Sequence, residues 1–266
     1  MATQDTASTE ASATQQAAPG VSITIEKNGP YLVKGGVPLT EDAVVPAETG
    51  HHMEYRHVKD FDTGKVYALC RCGASKNKPF CDGSHTQINF DGTETADRAP
   101  YLARVEAYYG DELALLDDNR CAYARLCHRE HGDVWRLTQI AEDDELKEEA
   151  VQASWHCPTG RLEHHDSKTG HIYEQEYDPS IVILEDPGEH CSGPLFVRGG
   201  IQLIGADGFE YEVRNRYALC RCGASPEKPF CDAVHDTIHF NDGSEALDGK
   251  WGDHDSSFDE TAKLDE

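Results

Sequence analysis

The chain has 266 residues, room for one large domain or two to three small ones. It carries 49 Asp and Glu against 24 Lys and Arg, a formal charge of −25. A field of that sign repels phosphate backbones and anionic membrane surfaces, which excludes nucleic acid and membrane as partners and leaves a basic protein as the kind that could be steered in.

Residues 1–20 are rich in Ala, Thr, Gln and Ser and read as a disordered N-terminus. They have no basic n-region, no apolar stretch and no arginine, and they carry Asp5 and Glu10, so neither a secretory nor a mitochondrial leader is expected. The longest apolar runs, such as SIVIL at 180–184, are far too short to span a bilayer. A reducing cytoplasm, where thiols stay free, is the expected setting.

Two segments, 21–100 and 179–247, repeat one another. SITI (22–25) matches SIVI (180–183), GPYLVKGGVPL (29–39) matches GPLFVRGGIQL (193–203), and INFDGTETA (88–96) echoes IHFNDGSEA (238–246). Alternating apolar residues bounded by Gly and Pro predict short strands and turns, with VKGG and VRGG as turns between strands. The first repeat holds about 14 extra residues before Tyr67, around AETGHHMEYRHVKD, expected as a surface loop. An unrelated segment, 101–178, separates the repeats, and 248–266 reads as an acidic, disordered tail.

YALCRCGAS occurs twice, at 67–75 and 217–225, each time followed by KPFCD at the same distance. Cys70, Cys72, Cys81 and His85 form C-x-C-x8-C-x3-H, and Cys220, Cys222, Cys231 and His235 repeat it. Spacings this short suit metal ligation better than a disulfide scaffold. The polar surroundings RCGASKNKPF argue against plain core cysteines. Three thiolates and an imidazole leave zinc or an iron–sulfur cluster as the choices, with C-x-C tighter than the usual zinc spacing.

CRCGASKNKPFCDGSH (70–85) resembles the CDGSH iron–sulfur (mitoNEET-like) family at every position of its pattern, including Ser75, Pro79 and Asp82. The resemblance implies a 2Fe–2S cluster on Cys70, Cys72, Cys81 and His85. The second repeat keeps Ser225, Pro229, Phe230 and Asp232 but reads CDAVH, with Ala233 for Gly83 and Val234 for Ser84. It implies a second 2Fe–2S cluster on Cys220, Cys222, Cys231 and His235, in altered surroundings. Asp82 and Asp232 fit the start of a short helix, where a side-chain oxygen caps free amides. One such loop buries too little apolar surface to fold alone. Tandem members of the family imply an α+β fold of mostly short β-strands, the two repeats forming a pseudo-twofold β-cap within one chain. That makes a monomer with an internal pseudo-dimer the expectation. Mitochondrial relatives of the family make an organelle interior the alternative location.

In the middle segment CAYARLC (121–127) is followed by CPTG (157–160), and DELKEEAVQASW (144–155) predicts an amphipathic helix between them. Bacterial ferredoxins place C-x2-C-x2-C ahead of a remote Cys-Pro. Here Ala124 occupies the middle cysteine position. The segment resembles a divergent mono-cluster ferredoxin-like (Fer4-type) domain, although Arg125 stands where a small residue is expected. Cys121, Cys127 and Cys157 would then hold a 3Fe–4S cluster, or a 4Fe–4S cluster with a non-cysteine fourth ligand; core cysteines are the plain alternative. His128, His131 and His156 lie beside them, and Cys191 reads as an ordinary thiol or, in a minority reading, the fourth ligand. The His pairs at 51–52 and 164–165 are expected to face solvent.

No nucleophile–base pair, phosphate loop or dinucleotide fingerprint occurs, so an enzyme with its own substrate is not the expectation. The expected function is electron transfer by a multi-cluster protein, or alternatively cluster donation or redox and pH sensing. The partner would be a redox protein or an apo-acceptor.

Overall fold

A computed structural model describes residues 15–248. The segments 1–14 and 249–266, which hold most of the two tails expected to be disordered, lie outside the described residues. Residues 15–20 run along the second repeat instead, where the Ala18 amide donates to the Gly200 carbonyl at 2.9 Å.

In chain order the first repeat forms β1 (Ser22–Ile25), β2 (Tyr31–Lys34), β3 (Leu39–Pro46), β4 (Met53–Phe61), β5 (Val66–Leu69) and a single helical turn, α1 (Ser84–Gln87). The middle segment forms β6 (Glu106–Tyr109), β7 (Leu113–Asp117), β8 (His128–Arg129), β9 (Gly132–Asp133), α2 (Val134–Ile140), α3 (Asp144–Trp155), β10 (Leu162–Asp166) and β11 (Ile172–Tyr173). The second repeat returns to β12 (Ser180–Asp186), β13 (Cys191–Arg198), β14 (Gln202–Ile204), β15 (Arg216–Leu219) and α4 (Val234–Thr237). The whole is α+β, built mostly of short strands.

The repeats exchange strands. β1 lies parallel to β14, Ile23 opposite Leu203, and β12 lies parallel to β3, Ile181 opposite Leu39. One sheet therefore runs β14–β1–β2–β5 and the other β15–β13–β12–β3–β4. Their inner faces share one core, in which Ile23, Ile25, Val33 and Leu69 of the first repeat meet Ile181, Ile183, Val197 and Leu219 of the second. Burying apolar area is the main driving force of folding, and neither repeat holds this core alone.

The insertion before Tyr67 is not a loop. Residues 53–61 form β4, an edge strand paired along its length with β3. Only one face of an edge strand needs apolar residues, so its charges concealed it in the sequence. Met53 and Val44 pack on Ala124 and Leu126 of the middle segment. The Tyr55 hydroxyl donates to the His156 carbonyl at 2.7 Å.

In the middle segment the antiparallel sheet β11–β10–β7–β6 is covered by α2 and α3. α3 spans Asp144–Trp155 as the pattern predicts, capped by the Asp143 carboxylate, which accepts from the Leu146 amide at 2.9 Å. His164 corrects the expectation for the second His pair. It is fully buried between Thr138 Oγ1 at 2.8 Å and Ser154 Oγ at 3.1 Å. The neutral ring donates from one nitrogen and accepts at the other, so one hydroxyl turns its proton to it.

Arg216, fully buried, ties this segment to the second repeat by donating to the Ser154, Trp155, Cys157 and Leu162 carbonyls and the Glu174 carboxylate. The first repeat has the exposed Val66 in its place. The middle segment therefore docks on the second repeat through Arg216 as well as on the first through β4.

Candidate metal centres

Each C-x-C sequence leaves the end of a strand, β5 or β15, and turns back on itself. Cys81 is brought home by backbone bonds from its own amide to the Ala68 carbonyl (2.9 Å) and from the Cys70 amide to the Pro79 carbonyl (2.8 Å). Cys231 and Cys220 repeat these bonds to Ala218 (3.0 Å) and Pro229 (2.9 Å). The Lys78–Pro79 and Lys228–Pro229 peptides are cis. The patterned serines staple the same turn, Ser75 Oγ donating to the Phe80 carbonyl at 2.6 Å and Ser225 Oγ to that of Phe230 at 2.9 Å.

The histidines sit one residue into α1 and α4. Each turn begins from a residue in the left-handed region, Gly83 at φ 87° and Ala233 at φ 70°. The aspartates cap from one position earlier than a standard N-cap: Asp82 Oδ1 accepts from the Ser84 amide at 2.9 Å, and Asp232 Oδ1 from that of Val234 at 3.2 Å. The Lys76 amide, the Ser84 hydroxyl and the Ser84 amide hold the Asp82 carboxyl well below the usual carboxylate range. Val234 has no hydroxyl to offer Asp232.

Each set of four forms two pairs. Cys70 and Cys72 Sγ are 3.8 Å apart, and Cys81 Sγ lies 3.4 Å from His85 Nδ1. In the second repeat the distances are 3.6 Å for Cys220 and Cys222 and 3.4 Å for Cys231 and His235 Nδ1. A tetrahedral metal with bonds of about 2.3 Å to sulfur separates two sulfurs by roughly 3.8 Å, and a sulfur from an imidazole nitrogen by slightly less. Each pair is thus spaced to share one metal. Among the described residues no three Cys, His, Asp or Glu side chains converge on a single ion. Two pairs suit a two-metal group and not a four-ligand zinc site, and both sets fit a 2Fe–2S cluster.

Burial also sets the protonation of the thiols. Burial pushes the Cys72 thiol up to about 11 and Cys231 well above its ordinary value. Within the Cys220/Cys222 pair the hydrogen bond from Cys222 lowers Cys220 to about 6, leaving Cys222 the one that holds its proton. Thiols disfavoured as anions ionise when a cation arrives, so loading releases protons.

Sequence reasoning missed the groups packed behind the cysteines. Arg71 and Arg221, the middle residues of the two C-R-C triplets, are buried. Arg71 donates to the Gly92 and Glu26 carbonyls, while Arg221 donates to the Leu184 and Gly193 carbonyls and to Glu185 and Asp242. Burial holds Glu185 up at about 8 despite Arg221 beside it. Tyr31, from the first repeat, donates its hydroxyl to the Cys220 carbonyl at 2.8 Å and the Pro229 carbonyl at 3.0 Å. Arginine at the same place in both copies of YALCRCGAS was the available signal; Tyr31 gave none.

Of the middle cysteines the structure brings Cys127 and Cys157 into one apolar cluster, with Val134, Ala153 and Leu162. Cys121 Sγ accepts from the Tyr123 amide at 3.3 Å. Burial first, then the charges of Cys157 and Cys121, push the Cys127 thiol up to about 12. Of the neighbouring histidines, His131 pairs with Glu149 at 2.7 Å, and burial lowers His156 to about 4. His128 is exposed. Cys191 lies 4.0 Å from Asp236 Oδ1, and burial raises its thiol to about 12.

Residues 28–86 and 192–236 both match the family described as iron-binding zinc finger, CDGSH type. Over 22 residues the chain is 73% identical to the mouse (Mus musculus) CDGSH iron-sulfur domain-containing protein 3, mitochondrial. That stretch is 8% of this chain and 16% of the mouse protein's length. No solved structure matches. The two matched segments together make up less than half of the chain, and each is similar to a CDGSH-type iron-binding domain. Among the described residues no helix is long and apolar enough to cross a membrane.

Proposed function

We propose that this protein carries two 2Fe–2S clusters, on Cys70, Cys72, Cys81 and His85 (site 1) and on Cys220, Cys222, Cys231 and His235 (site 2), and works in electron transfer. The observation that carries the reading is the two-plus-two pairing of the side chains, found in both repeats with sulfur pairs 3.8 and 3.6 Å apart and Cys–His pairs at 3.4 Å. A 2Fe–2S cluster supplies a one-electron couple, and the chain supplies the ligand pairs and the amides and buried arginines around them. The reciprocal strand exchange supports a pseudo-twofold β-cap within a monomer.

The middle segment is proposed as a divergent ferredoxin-like domain holding a 3Fe–4S or 4Fe–4S cluster on Cys121, Cys127 and Cys157. Its support is the shared apolar cluster of Cys127 and Cys157, with the charges of Cys157 and Cys121 acting on Cys127. The partner would be a basic redox protein in the cytoplasm, or in an organelle interior by analogy with the mouse protein's printed name. A second reading, donation of a cluster to an apo-acceptor or redox and pH sensing, is favoured by the partial exposure of His85, since an accessible histidine ligand can be protonated and released.

Anaerobic purification with iron and sulfide counting and EPR tests the proposal. Two 2Fe–2S signals plus a third cluster are expected, and a colourless, zinc-loaded protein overturns it. Reversible redox cycling without loss supports the carrier. Transfer to an apo-acceptor faster than unassisted decay supports the donor.

A further inference from the structure

The two sites share their ligand pattern but not their surroundings. At site 1 Cys81 and His85 are partly exposed. At site 2 Cys231 and His235 retain only 3% and 5% of their surface. Two additions in the sequence cause this.

The first is a longer hairpin. Six positions separate Ile25 from Tyr31, whereas twelve separate the equivalent Ile183 and Leu195. The extra residues extend β13 back to Cys191 and lay it against α4. The Ser192 amide donates to the Phe240 carbonyl at 2.6 Å, and Ser192 Oγ accepts from the Asp242 amide at 3.0 Å. The second addition is the loop that leads from Cys121 to Cys127. Its Ala122 packs on Ala218 and Cys231, while Ala68, the first repeat's counterpart of Ala218, stays half-buried.

Arg125 joins the two. Its guanidinium bonds Asp186, the last residue of β12, at 2.9 Å and Glu189, within the hairpin turn, at 2.7 Å. The arginine is mostly buried and its backbone lies in the left-handed region at φ 58°, held there by the loop. Asp186 is largely shielded from water, so removing the guanidinium leaves a buried carboxylate charge without its partner, which is costly. This also accounts for an arginine where a ferredoxin-type loop has a small residue.

We propose that Arg125 is a latch that keeps site 2 closed, so that site 1 alone exchanges electrons, protons or iron with the outside. It is a positioning residue, acting through the hairpin and touching no ligand. The proposal rests on the cluster assignment above.

The test uses the full-length protein as purified. Iron release into bathophenanthroline disulfonate should follow two phases, the fast one deleted by Cys81→Ala and the slow one by Cys231→Ala. Arg125→Gln should quicken the slow phase roughly tenfold, equivalent to about 1.4 kcal/mol of closed-state preference, and leave the fast phase unchanged. Arg125→Lys should restore part of the protection, and a general loss of stability would instead quicken both phases.

Independently of iron content, diethyl pyrocarbonate followed by peptide mass mapping should modify His85 well before His235, and Arg125→Gln should narrow that gap. Equal modification of the two histidines in the parent protein overturns the proposal, as does a slow phase and a protected His235 that ignore Arg125→Gln. If no iron or sulfide is present, the cluster assignment fails, and the order of histidine modification still decides whether the latch exists.

Discussion

Gly73 and Cys222 meet backbone to backbone: a Cβ on Gly73 would land on the Cys222 carbonyl oxygen, and one on Gly223 would land on that of Cys72. Both glycines also sit at positive φ, 74° and 81°. The turns that follow the two C-x-C pairs are therefore each other's floor, and the two sites adjoin through main chain.

Gly73→Ala or Gly223→Ala should thus destabilise the protein by roughly 2–5 kcal/mol, adding a left-handed alanine to a backbone overlap. Because each glycine touches the opposite repeat, either variant should disturb both sites. Urea unfolding and the visible spectrum measure this, and a variant that changes one site alone would contradict the reciprocal contact.

The middle segment makes a separate prediction. Cys157→Ser should abolish a 3Fe–4S EPR signal of the oxidised protein and spare the 2Fe–2S spectra. Iron content matching two 2Fe–2S clusters and no more would make Cys121, Cys127 and Cys157 structural thiols.

On the proposed cluster assignment, a neutral imidazole in place of a thiolate removes one negative charge from around the iron, so reduction becomes easier. All-cysteine plant-type clusters lie near about −400 mV and two-histidine Rieske centres between about −150 and +300 mV. A site with three Cys and one His should fall between the all-cysteine value and the top of the Rieske range. Reduction also raises the ring's affinity for a proton, so the midpoint should fall as pH rises. His85→Cys should lower the site 1 potential, flatten that dependence and slow loss in acid. Unchanged potential and acid lability would remove His85 from the ligand set.

His164 gives a pH dependence of stability. Burial, with His165 nearby, lowers it from 6.5 to about 3. Below pH 6.5 the unfolded chain takes up a proton that the folded chain refuses, so stability is complete above that pH and falls as the pH drops toward 3. The slope is about 1.4 kcal/mol per pH unit. His156, lowered to about 4, acts with the same sign. His164→Gln should lower the urea midpoint at pH 7.5 and make the decline to pH 5.5 shallower. Equal slopes in the two proteins would show that His164 does not titrate in this way.

The pairing of Cys70 with Cys72 and of Cys81 with His85, and its copy in the second repeat, was legible in the sequence because one short loop fixes its own spacing. C-x-C and C-x3-H put each pair together whatever the rest of the chain does. The strand pattern was legible for the same local reason, as was α3, whose cap and periodicity lie within one segment. β4 was not, because an edge strand with one face toward solvent needs few apolar residues. His164 was not either: the hydroxyls that receive it, on Thr138 and Ser154, come from two helices that only tertiary packing brings to β10. The covering of site 2 by Arg125 lay beyond reach for the same reason, since Asp186 and Glu189 stand about sixty positions away.

The parallel pairing of β1 with β14 and of β3 with β12 sets a timetable for biosynthesis. Translation delivers β1 and β3 well before their partners, the last of which ends at Ile204. At about 5–20 residues per second the nascent first repeat waits on the order of ten seconds with two strand edges open. Open edges recruit other chains, so a ribosome-bound fragment is a natural client for chaperones, and a transcript truncated before residue 180 yields a polypeptide that cannot close either sheet. The cell can therefore assess this protein only as a whole, after the last β-strand has emerged.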